Sequence, residues 1–82
     1  MKSKIELFVS QKVREYRLKN DWSYKYLGDC INVSGSFIHA AESPKNNTSF
    51  NLDHIDALAR IFECDIWDLL PQKPVNDSLT GK

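Results

Sequence analysis

Four side chains in this 82-residue sequence carry chemistry suited to metal binding or nucleophilic attack: Cys30, Cys64, His39 and His54. Their spacing argues against both roles. Thirty-four positions separate the two cysteines, and no second Cys or His stands near either at the short intervals that metal ligands use. The histidines fall on different expected helices, with no carboxylate-rich cleft, glycine-rich phosphate loop or nucleophile motif between them. The expectation is a protein that is not an enzyme, with no catalytic residue, metal or cofactor. Both cysteines read as small core or half-core residues.

Recognition chemistry is more promising. The stretch CINVSGSFIHAAE, from Cys30 to Glu42, reads as the end of one helix, a tight turn and the start of another. A second helix launched in this way is a common device for entering the major groove of DNA. Its outward residues are expected to be Gly35, Ser36, His39 and Ala40. Telling one base pair from another rests mostly on bidentate Arg, Lys, Asn or Gln, and none lies between Ser34 and Ala41. Ser36 offers one ambiguous hydrogen bond, Ala40 a contact for a thymine methyl, and His39 a donor for phosphate or guanine. The polar loop SPKNNTS follows.

The elements that must hold these residues are legible from apolar spacing. Ile5, Phe8, Val9, Val13 and Tyr16 recur at helical intervals and predict a first helix over 4–19, ended by Asn20-Asp21. Ser23 caps a short second helix with Trp22, Leu27 and Ile31 inward, and Asn32 suits its left-handed exit. Ser34 caps a third helix with Phe37, Ile38 and Ala41 inward, and Pro44 stops it. Asn51 caps a fourth, striped by Leu52, Ile55, Leu58, Ala59 and Phe62. Asp65 caps a fifth, short helix, IWDLL, closed by Pro71. No segment alternates with period two. The expected fold is therefore an all-α, compact five-helix domain over residues 1–70, with a flexible C-terminal tail over 71–82.

Composition fits this reading. Hydrophobic residues make up 41% and charged residues 27%, ordinary values for a globular domain. No apolar run is long enough to span a membrane, and the N-terminal segment does not read as a signal peptide, so a cytoplasmic protein is expected, nucleoid-associated when bound. Net charge is zero but unevenly spread. Residues 1–25 hold seven basic against three acidic side chains, and residues 42–82 hold four against seven. One cationic face follows, although a strong electrostatic binder is usually basic overall.

Within this pattern, six positions match the needs of two helices crossing over a tight turn: Leu27, Gly28, Ile31, Asn32, Val33 and Ile38. With Arg17, the run WSYKYLGDCINVSGSFIHAAE and the run LDHIDALARIFECDIWDLL, they make the chain resemble the Cro/C1-type (XRE) helix-turn-helix domains of phage repressors and bacterial regulators. The resemblance covers about residues 9–70. The wording VSGSFIHAAESPKNNTSFNLDHI is similar to a branch found in Bacteroidetes genomes. The resemblance implies a lambda-repressor-like fold whose second and third helices form the helix-turn-helix, and a structural ion pair between Arg17 and Glu42. It implies DNA contacts from Tyr24 (where the family often has Gln), Lys25, Ser34, Gly35, Ser36, His39 and Ala40, and from Lys45, Asn46 and Asn47 in the loop. It also implies a homodimer, for which Phe50, Ile66, Trp67 and Leu70 are the candidate patch.

Two functions therefore compete. One is a regulator of transcription, a repressor, that binds double-stranded DNA as a dimer. The other is a protein-binding helix-turn-helix module, such as an antitoxin or regulatory partner, with weak or no DNA binding. Neutral charge and a bare third helix favour the second; the helix-turn-helix frame favours the first.

Overall fold

The computed structural model describes residues 1–75. Four α-helices follow in order: α1 (Lys4–Lys19), α2 (Tyr24–Cys30), α3 (Gly35–Glu42) and α4 (Leu52–Phe62). Among the described residues there is no strand, and no helix is long and apolar enough to cross a membrane. The fifth helix expected over IWDLL is instead a single 3-10 turn, Ile66–Asp68. Here the Asp65 amide donates to Asp68 Oδ2 at 2.9 Å, and the turn ends at Leu69, which is buried in the core. Five residues cut off by Pro71 are too few to sustain an α-helix. Of the tail expected over 71–82, residues 76–82 lie outside the described residues.

Each helix starts on a side-chain cap. Ser23, Ser34 and Asn51 accept from the amides of Tyr26, Phe37 and His54 at 3.0, 3.0 and 2.8 Å. Ser3 and Glu6 exchange hydrogen bonds at the start of α1, and Asn51 and His54 do so at the start of α4, where His54 Nδ1 accepts from the Asn51 amide at 3.1 Å. Three exits use left-handed residues, Asp21 after α1, Asn32 after α2 and Glu63 after α4, with φ of 57°, 62° and 55°, while α3 leaves through extended Ser43.

Val9, Val13, Leu27, Ile38, Ala41, Phe50, Ile55, Leu58, Ala59, Phe62 and Leu69 form the buried core. An aromatic run closes one flank: Tyr16 stacks on Phe62, Phe62 on Trp22, and Trp22 tilts against Tyr26, with centroids 5.1 to 5.7 Å apart. Cys64 is half-buried beside Tyr16, and burial pushes both the thiol and the phenol pKa up. Cys30, expected in or near the core, is exposed. It is the last residue of α2.

Candidate nucleic-acid interface

The α2–α3 crossing rests on two glycines. A Cβ on Gly28 would stand 2.6 Å from Val33 O and 2.9 Å from Ser34 C, inside the turn. The amides of Ile31 and Val33 both donate to Gly28 O, at 3.2 and 2.9 Å, so this close approach is what shapes the turn. Gly35, at the first position of α3, faces α2 in the same manner. A Cβ there would lie 3.0 Å from Lys25 Cα and 3.1 Å from Lys25 N. Gly35 is thus half-buried against the α2 backbone.

The C-terminal end of α3 is held by a row of polar side chains from the first helix and the residues before it. Lys2 Nζ donates to the carbonyls of Ala40, Ser43 and Asn46 at 3.3, 2.5 and 2.6 Å. Ser10 Oγ donates to Ala41 O at 2.6 Å. Arg17 grips Glu42 with two bonds, Nε to Oε2 at 2.7 Å and Nη2 to Oε1 at 3.0 Å, and its Nη1 donates to Trp22 O at 2.9 Å. Lys2, Ser10, Arg17 and Glu42 are all buried. The Glu42 bonds raise the Arg17 pKa, while burial draws the Lys2 ammonium pKa down against a smaller opposing pull from Glu6. Losing one partner of a buried ion pair costs roughly 3–5 kcal/mol. The carbonyls that a helix end leaves unbonded are here answered by side chains, and a cation sits where the helix dipole favours one.

Neither Lys2 nor Ser10 stands out in the sequence. Lys2 reads as a surface lysine near a terminus, and Ser10 as an interruption of an apolar stripe. One signal was present: Ser10 lies seven residues before Arg17, which puts both on one face of α1, whereas Lys2 precedes the helix and carries no such mark.

Tyr24 covers the ion pair. Its ring lies 4.2 Å from Arg17 Cζ and meets the His39 ring edge-on at 5.0 Å. Tyr24 and His39 together form a ridge with a groove on either side. One groove, about 450 Å³, is lined by Ser23, Lys25, Gly35 and Ser36 as well as the ridge. The other, about 620 Å³, opens toward α1.

The remaining expected contacts are distributed as follows. Ser36 and His39 are exposed on α3, Ala40 is half-buried, and Ser34 spends its hydroxyl on the cap. Lys25 is exposed and paired with Asp29 at 3.0 Å. Lys45 is exposed, and its amide donates to Ser43 Oγ at 3.4 Å. Asn46 Oδ1 accepts from the Thr48 amide at 2.8 Å, and Asn47 Oδ1 from the Met1 amino group. The two asparagines thus use their carbonyl oxygens to shape the loop.

Of the candidate dimer residues, Phe50 is buried, with its ring against Phe37 and His54, so it belongs to the core and not to a surface patch. Trp67 is 72% exposed and Ile66 41%, while Leu70 is half-buried. Leu52, read from the sequence as part of the inward stripe of α4, is 77% exposed and lines a groove with Leu70 instead.

No protein-family model and no curated protein sequence matches the chain. Among solved structures, it is similar to a hypothetical transcription factor, NHTF, from Neisseria. The TM-score is 0.69 at 17% identity, over 93% of this chain and 80% of that one. At that identity the likeness is one of fold: a small all-helical domain of the same build.

Proposed function

We propose that this chain is a DNA-binding regulator of transcription, a repressor of the Cro/C1 type, that lays α3 in the major groove and binds as a homodimer. The observation that carries this reading is the α2–α3 crossing. A two-glycine contact brings the helices together, and three buried polar side chains fix the far end of α3. Such rigidity suits a helix that must enter a groove in one register. The fold it shares with the Neisseria protein, a hypothetical transcription factor, supports the same reading.

Ser36 and His39 would face base edges or phosphates, Ala40 a thymine methyl, and Lys45 a phosphate beside the loop. Tyr24 and Lys25 would meet the backbone at the start of α2. So bare a reading helix would draw its selectivity from DNA shape and bridging water more than from bidentate contacts. A salt titration on duplex DNA tests the proposal. Affinity should fall with a log–log slope of about −4 to −8 for the dimer, each neutralised phosphate contributing about −0.9. Lys45→Ala should weaken all duplexes alike. Absence of binding to any duplex at low salt would overturn the reading in favour of a protein-binding module, which the exposed Leu52 and Trp67 would then serve.

A further inference from the structure

The groove on the α1 side of the Tyr24–His39 ridge has a wall that the helix-turn-helix reading does not use. Gln11 and Arg14, one turn apart on α1, stand there opposite Tyr24, His39 and Ser43. Arg14 is exposed, and no ion pair or side-chain hydrogen bond ties it among the described residues. Its neighbours on α1 are committed elsewhere. Lys12 pairs with Glu15 at 3.7 Å and lies over the Phe8 ring, and Arg17 is buried on Glu42. Glu42 borders the same groove, but both of its oxygens are occupied by Arg17, which offsets its charge.

We propose that this groove is a second phosphate site, in which Arg14 and Gln11 bind a phosphodiester of the DNA strand that passes the ridge. The inference rests on the DNA-binding reading above and adds α1 to it. Gln11 Nε2 donates one hydrogen to Glu15 Oε2 at 3.2 Å and keeps the other. The Arg14 guanidinium and that remaining amide hydrogen, one helical turn apart, supply charge and donors together, the combination that phosphodiester oxygens take best. The volume of about 620 Å³ admits a sugar-phosphate unit, with Tyr24 and His39 as one wall and Leu7 and Pro44 as another. The ridge is then held on both sides, since the strand contacting Ser23 and Lys25 in the smaller groove continues into the larger one. This gives Tyr24 a function that an exposed glutamine at the same position would not have: it separates two phosphate seats while shielding the Arg17–Glu42 pair.

The test uses the full chain, a random-sequence duplex and a duplex that the protein itself selects from a random pool. Arg14→Ala should weaken both duplexes by the same factor, roughly tenfold at low salt, as expected for a charge-assisted hydrogen bond. It should also reduce the steepness of the salt dependence by about 0.9 per bound chain. Arg14→Lys should recover most of the affinity, and Lys12→Ala should change neither quantity. Arg14 is exposed, so the thermal midpoint of each variant should match the wild type. If Arg14→Ala leaves affinity and slope unchanged while Lys45→Ala lowers both, the second site is wrong and the DNA reading stands. If the wild-type chain binds neither duplex, both are wrong.

Discussion

Gly35 stands at the first position of α3, where a base-reading side chain would begin, and the α2 backbone lies where that side chain would point. The sequence shows a small residue at a place of recognition; only the packed structure shows that it is small for the sake of α2. The distinction is testable by installing the same reader at two adjacent positions. Gly35→Gln should cost about 1–3 kcal/mol in urea denaturation, because the added Cβ meets backbone and not a movable side chain. Ser36→Gln, on the exposed face, should leave stability within about 0.5 kcal/mol. Because glutamine pairs with adenine through two hydrogen bonds, Ser36→Gln should also shift the sites selected from a random pool toward adenine at one position per half-site. Equal stability losses for the two variants would show that Gly35 is not in close contact with α2. At this scale the caps were the most readable features, since Ser23, Ser34 and Asn51 act through bonds three residues away. Phe50 was not readable: its burial depends on Phe37 and His54, which reach it from α3 and α4.

At the scale of elements, α3 is positioned less by its own eight residues than by what reaches it from the N-terminal side. Lys2 is separated from its three carbonyl partners by 38, 41 and 44 residues, and no periodicity in the sequence records contacts of that range. Lys2→Met keeps the length of the side chain and removes its donors. It should cost about 2 kcal/mol, the scale of hydrogen bonds to a charged group. Hydrogen exchange should quicken at the amides of Ser43 and Asn46, while those within α4 stay protected until global unfolding. Glu6 sets a pH dependence on the same segment. The Ser3 amide, more than any other influence, holds its carboxyl pKa below the reference value of 4.5. A carboxyl whose pKa is lower in the folded chain contributes stability that is complete above the unfolded value and is lost as pH falls through the folded one. The stability difference between wild type and Glu6→Gln should therefore be constant above about pH 5 and shrink steadily below pH 4.5, read from urea midpoints between pH 3 and 7. A difference that does not change with pH would mean that the Ser3–Glu6 bond forms equally in the unfolded chain.

For the whole molecule, three of the exposed apolar side chains, Leu52, Ile66 and Trp67, belong to α4 and the 3-10 turn and line neither groove beside the Tyr24–His39 ridge, whereas Leu7 borders one of them. Leu70 borders two grooves, one lined by Ile5, Val9, Leu52 and Ile55, about 320 Å³ in volume, and one by Phe8, Trp67 and Val75. A reading of IWDLL as an amphipathic helix assigns Trp67 to core or interface with equal ease. The 3-10 turn settles its exposure by burying Leu69 and turning Trp67 out. On the proposed function this surface joins two copies, and two half-sites one helical turn of DNA apart are then read together. The groove that Trp67 lines mixes Phe8, Leu70 and Val75 with Lys12, Asp68 and Lys73, and a large exposed aromatic is the kind of residue that carries most of the binding energy at such an interface. Trp67→Ala and Leu52→Ser remove side chains that the single chain leaves exposed, so neither should lower the unfolding midpoint of the monomer. Each should shift sedimentation toward the monomer at micromolar concentration. The doubly substituted chain should bind an isolated half-site as well as the wild type does, yet lose the gain in affinity that a two-half-site duplex gives. A wild-type chain that sediments as a monomer and binds both duplexes equally would refute the dimer, leaving Trp67 and Leu52 as a surface for a different protein.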